Sequence, residues 1–229
     1  MPSDSRAAMI LCSHNLGATP GGDPGERAYW FGFNGYRSLV EQLAERAEDQ
    51  GYRLELTTDD GFASDCDRLL PWLLETGRTA TFFVPVGFLD RPGRLTSAQL
   101  REIAAAGMAI GCHGYDHLDW PTIDPAALRH EIDDAKAALE DLLGLAIRRV
   151  APPYGAYDTR VLGALKRAGF AEIYTTRGGF SLPLGRLKPR IVLQQDRQRL
   201  AELSALSQRR PGAKDRLRCG LHEVQARFT

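Results

Sequence analysis

Long apolar runs are missing: no window approaches the roughly 18 consecutive apolar residues of a membrane-spanning helix. Met1 to Leu11 places Asp4 and Arg6 ahead of a very short apolar run, without the basic start and longer apolar stretch of a secretory signal. The expectation is a soluble, cytoplasmic protein. Cysteine is scarce, with Cys12, Cys66, Cys112 and Cys219 scattered and no C-x-x-C pair. That spacing argues against a disulfide framework or a zinc finger, and reduced thiols are the plain reading. Net charge is zero, 29 basic against 29 acidic residues, which removes the bulk electrostatic argument for nucleic-acid binding. Repeats and low-complexity segments are absent too. Gly at 23 and Pro at 13 are average, so disorder and collagen-like architectures are excluded.

What remains is an ordinary globular composition, 43% hydrophobic over 229 residues, enough to bury a core without staples. Strand-like and helix-like runs alternate along it. Strands are expected at 9–13, 54–58, 79–84, 108–112, 147–151, 173–176 and 190–194. Helices are expected at 36–47, 65–76 with a kink at Pro71, 96–106, 125–144 and 158–168. Seven strands separated mostly by helices imply parallel pairing through right-handed crossovers, in a barrel or a doubly wound sheet. A single domain is expected over 1–229, with its core at about 9–195 and residues 196–229 a helical extension packed on it. From Arg186 onward the chain carries 11 Lys/Arg against 4 Asp/Glu. That basic segment is either a solvated helical face or a contact for an anionic membrane or a phosphate-linked substrate.

Reactive side chains fall just after the strands. Ser13-His14 follows the first, Asp59-Asp60-Gly61 the second, His113-Gly-Tyr-Asp-His117 the fourth, Pro152-Pro153-Tyr154-Gly155 the fifth and Thr176-Arg177 the sixth. In a parallel α/β fold all strand C-termini open onto one face, so these groups meet at one mouth. Adjacent acids before a glycine are by themselves often a solvated turn, and H-x-x-x-H alone can merely fill a helix face. Together, a His pair and a carboxylate form a set of three ligands that leaves a fourth position for water, the catalytic arrangement of zinc. A second carboxylate beside the ligand is placed to take a proton from that water.

Three ordered runs, Leu56-Thr57-Thr58-Asp59-Asp60-Gly61, His113-Gly114-Tyr115-Asp116-His117 and Pro152-Pro153-Tyr154-Gly155, resemble the polysaccharide deacetylases (NodB-homology, carbohydrate esterase family 4). Ala80–Val84 and Gly107–Gly111 are similar to the segments that precede the family's His motif. Met9–His14 looks like its first strand with a terminal His. The resemblance covers roughly Leu54 to Thr176. It implies a distorted (β/α)7 barrel of parallel strands and metal-dependent hydrolysis of an N-acetyl group on an amino sugar.

Carried over by position, Asp59 is the general base, and Asp60, His113 and His117 hold a divalent metal, zinc first, with cobalt and manganese as alternatives. The Tyr154 backbone N–H supports the oxyanion, and Pro153 and Tyr154 line the substrate site, with Tyr115 as a further candidate. Three departures concern proton handling. Ala151 stands where the family has an Arg that orients the catalytic Asp, Thr175-Thr176 where it has the Asp holding that Arg, and Leu193-Gln194-Gln195 where it has a terminal His. Arg177 is either a substitute for the missing Arg or a surface arginine. His14 is either the acid or a wall of the substrate pocket. Tyr115, Trp120, Tyr157, Trp30 and Phe31 either stack on a sugar or pack locally, while His130 and His222 read as solvated helix residues. The expected function is deacetylation of a polysaccharide or a glycan precursor. The alternatives are hydrolysis of a small non-sugar amide or formamide, and a metal- or glycan-binding relative without catalysis.

Overall fold

Eight strand segments line up side by side in a computed structural model that describes residues 5–17, 27–183 and 185–215. β1 (Ala8–Ser13), β2 (Arg53–Asp59), β3 (Ala80–Val84), β4 (Ala109–Cys112), β5 (Arg149–Val150) and β6 (Glu172–Thr175) run parallel in that order. β1 and β3 are buried along their whole length. Burial on both faces explains why they read as continuous apolar runs rather than alternating ones.

Helices connect the strands on the outside. α1 (Phe33–Gln50) buries Tyr36, Val40, Leu43 and Ala47 and ends at Gly51, whose φ of 73° supplies the left-handed cap. Val40 and Leu43 each contribute about 1.5–3 kcal/mol by removal from water. A wide turn at Asp65–Leu69 leads into α2 (Leu70–Glu75), where Pro71 has no N–H for the regular ladder. α3 (Ser97–Ala105) starts with a reciprocal capping box between Thr96 and Gln99. The helix expected at 125–144 is interrupted. α4 (Pro125–Arg129), capped by Asp124, passes through a π-helical stretch, His130–Asp134, into α5 (Ala135–Leu143). α6 (Thr159–Arg167) is capped by Asp158.

The closing end differs from the sequence expectation of one strand at 190–194. β7 (Phe180–Ser181) pairs antiparallel with β1. β8 (Leu187–Pro189) pairs with β6, and β9 (Ile191–Val192) pairs with β1. The residue between β8 and β9, Arg190, therefore spans the seam that nearly closes the barrel. Its two flanking strands are too short to read as separate runs. α7 (Arg197–Ser207) lies against α1, with Ser207 accepting hydrogen bonds from Arg46 and from the Tyr52 hydroxyl. Residues 216–229 of the expected helical extension, His222 among them, lie outside the described residues. Among the described residues no helix is long and apolar enough to cross a membrane.

Candidate active site

The C-terminal ends of the strands surround a cleft of about 1070 Å³ lined by His14, Asp59, Asp60, His113, His117 and Tyr154, among others. That volume lies at the upper end of small-molecule sites. Asp60 Oδ1 sits 3.4 Å from His113 Nε2 and 3.3 Å from His117 Nε2. These three residues offer ligand atoms that all lie within 4.8 Å of one another. Asp60 Oδ1 is buried and has no hydrogen-bond partner. The histidines hold the Asp60 carboxyl below the ordinary carboxylate range although burial opposes it. A buried, ionised oxygen facing two imidazoles is the donor set of a divalent cation.

His113 is turned for this role. Its Nδ1 donates to the Ala151 carbonyl at 2.6 Å, which leaves Nε2 facing Asp60. Three non-glycine residues around the site, Asp60 (φ 74°), His117 (φ 60°) and Tyr154 (φ 59°), adopt the left-handed backbone that costs a residue with a Cβ on the order of 1–3 kcal/mol. At Asp60 the carbonyl accepts a hydrogen bond from Arg94, whose guanidinium lies over the Phe62 and Phe88 rings. Beside Tyr154, a Cβ on Gly155 would fall 2.0 Å from Thr176 Oγ1, so only glycine permits that close turn.

Asp59 is 3% exposed, and both its carboxylate oxygens are taken by one fully buried guanidinium: Arg190 donates to Oδ1 at 2.6 Å and to Oδ2 at 2.8 Å. Burial alone would raise the Asp59 carboxyl. Arg190, followed by His113, holds it below its usual range. Oδ2 also lies 3.7 Å from His113 Nε2, so this carboxylate faces the donor set.

Arg190 is the partner that the sequence reading missed, and Arg177 does not fill that place. The Arg177 guanidinium lies over the Tyr157 ring, on the wall of the cleft. Ala151 is fully buried, in a small cluster with Ala8, Ile10, Phe83 and Tyr174. The Arg190 guanidinium lies over the Phe83 ring, 5.1 Å from its centre. Gln195 ties the 27–31 segment down, bonding the carbonyls of Ala28 and Trp30.

His14 lines the cleft, its ring 5.0 Å from Tyr29, and its Nδ1 is buried without a partner. Burial lowers its pKa. Cys12, His14 and Asp59 form a second close group. However, Asp59 is committed to Arg190, and burial pushes the Cys12 thiol up, away from the thiolate a metal would need. Tyr154 is 68% exposed at the rim, its ring 4.8 Å from His117. Tyr115 is not among the residues lining the cleft and stacks on His130 at 4.2 Å instead. Trp120 and Trp30 are buried in the core, and Pro153 is buried beneath the turn.

Residues 46–173 match the family model for polysaccharide deacetylase. A chitin deacetylase from a Pestalotiopsis species is 31% identical over 118 residues, 52% of this chain and 39% of its own. The chitooligosaccharide deacetylase of Azorhizobium caulinodans is 27% identical over 138 residues, 59% of this chain and 63% of its own. The chain thus spans about half the length of the curated relatives it matches. Among solved structures, IcaB from Ammonifex degensii superposes with a TM-score of 0.74 at 23% identity, covering 89% of this chain and 97% of that one. The neighbour shares the nearly closed barrel. With a family model matching more than half of its length, the chain belongs to the polysaccharide deacetylase family.

Proposed function

We propose that the protein is a metal-dependent hydrolase that removes the N-acetyl group of an amino sugar. The observation that carries this reading is the unpartnered, buried Asp60 oxygen between His113 and His117, with a second carboxylate, Asp59, beside it. A divalent cation, zinc in the first place, fits those three donors and supplies Lewis acidity for attack of water on an amide.

The chain's own groups account for the proton movements. Asp59, kept ionised by Arg190, accepts the proton of the attacking water. The Tyr154 N–H, on its left-handed turn, donates to the oxygen of the tetrahedral adduct. His14 is held neutral by burial and lies within 4.8 Å of Asp59. It therefore passes that proton to the leaving amine rather than storing one of its own. The exposed face of Tyr154 gives a sugar ring a surface to stack on.

The test is a substrate panel: N-acetylated chitooligosaccharides, a phosphate-linked N-acetyl sugar, and small amides and formamides. Acetate release from the sugars, with the small amides inert, supports the reading. Turnover of the small amides alone overturns the sugar assignment.

A further inference from the structure

A buried carboxylate outside the cleft holds the segment that carries His117. Glu131, in the π-helical stretch between α4 and α5, is fully buried. It accepts three hydrogen bonds, all from the loop that follows His113. The Asp116 N–H donates to Oε1 at 2.6 Å. The Leu118 N–H at 3.2 Å and the Trp120 indole N–H at 2.9 Å both donate to Oε2. Two of these donors flank His117, one on each side. His117 itself is in the left-handed region at φ 60°, and its Nε2 faces Asp60. Successive N–H groups around such a residue form a concave nest for an anion, and here the anion is a side chain of the protein itself.

The surrounding sequence is cut to fit. A Cβ on Gly114 would lie 2.4 Å from Glu131 Oε2, so only glycine leaves room for the carboxylate. Without it, the Trp120 indole N–H would be left buried and unpaired, and the Asp116 and Leu118 N–H groups would lose the acceptor they share. The helix thus commits an acid to a buried position between the apolar Leu128, Ile132 and Ala135.

We propose that Glu131 is a positioning residue for the metal centre: it fixes the Asp116–Leu118 backbone so that the His117 imidazole is presented to Asp60 and His113 before any ligand arrives. This inference rests on the metal-centre reading above. It adds a residue that touches neither substrate nor metal and acts only through the backbone on either side of His117.

The test compares Glu131→Gln with Leu128→Ala. The second variant is a core truncation one turn earlier on the same helix and removes none of the three hydrogen bonds to the loop. Cobalt(II) affinity and the visible spectrum of the cobalt-loaded protein are read beside the melting temperature of each. An amide offers one acceptor oxygen and turns an NH2 toward N–H donors. Glu131→Gln is therefore expected to bind cobalt about 10–100-fold more weakly with an altered spectrum, the scale seen when groups that orient ligands are changed. Leu128→Ala is expected to keep wild-type affinity and spectrum although it melts lower. Wild-type affinity and spectrum in Glu131→Gln, or equal losses in both variants, overturns the proposal. Should Glu131→Gln not fold, Glu131→Asp carries the same reading, because its shorter arm cannot span all three donors. Wild-type protein that binds no cobalt overturns the metal-centre reading as well.

Discussion

Arg190 and Asp59 are 131 residues apart in the chain and form a two-pronged ion pair sealed from solvent, at 2.6 and 2.8 Å. The arginine comes from the seam between β8 and β9, whereas the family pattern places such a residue at the position held here by Ala151. The barrel interior explains the exchange. Ala151 packs with Phe83 and Tyr174, and the Arg190 guanidinium lies over the Phe83 ring while it grips the Asp59 carboxylate. A guanidinium need only arrive with its fork facing both oxygens; the strand that delivers it is immaterial.

Arg190→Ala leaves a buried carboxylate without its countercharge, a change that typically costs about 3–5 kcal/mol. The expected result is a markedly lower melting temperature and a fall in kcat/KM of about 100-fold or more. Arg190→Lys keeps the charge but loses the fork, and recovers part of each. The measurements are thermal unfolding and steady-state deacetylation of both variants.

The acid limb of the pH profile reports the same pair. Burial raises the Asp59 carboxyl and Arg190 more than offsets it, so wild-type Asp59 stays ionised below the ordinary carboxylate pKa. Stability from this group is present above the unfolded value and is lost as pH falls through the folded one. In Arg190→Lys the acid limb of kcat/KM moves to higher pH. An unmoved limb would show that Arg190 does not set the ionisation of Asp59.

Asp59→Asn separates proton transfer from metal retention. The ligand set Asp60, His113 and His117 does not include Asp59, so the variant is expected to keep its metal while activity falls about 100- to 10,000-fold. Metal content by elemental analysis and acetate release on one preparation decide it.

Metal affinity in the stripped protein depends on pH in an uneven way. Burial and the neighbouring His113 push His117 down to about 4. His113 is raised because the Asp59 and Asp60 charges outweigh its burial. Between pH 5 and 6.5, His117 is therefore already neutral, and a metal displaces one proton, from His113. The logarithm of the binding constant is expected to rise with a slope near one, not two, in titrations across that range.

Much of this arrangement was legible in the residues, and the rest fails for identifiable reasons. Asp59 ends a strand and Asp60, His113 and His117 come after one, and parallel topology brings strand ends together, so the cluster follows from their order. Arg190 was hidden because β8 and β9 are three and two residues long, and their pairing with opposite edges of the sheet leaves no periodicity. Glu131 did leave a signal, an acid three residues after Leu128 and four before Ala135 on an apolar stripe. A helix-face reading passes over it as one polar exception. Tyr115 stands inside the His motif, but its ring stacks on His130, a residue of a distant helix that the motif itself does not announce.

His14→Gln tests the path of the proton to the amine. Because burial holds His14 neutral, its loss is expected to lower kcat about 100- to 10,000-fold with little change in KM. A rise in KM at unchanged kcat would make His14 a wall of the substrate site instead.

The most direct measurement is acetate release from an N-acetylated chitooligosaccharide by protein stripped with chelator and then reloaded with zinc, with His117→Ala treated in parallel. The account predicts no release from stripped protein, recovery at one zinc per chain, and no recovery in His117→Ala. Equal turnover with and without metal, or full activity in His117→Ala, would contradict it.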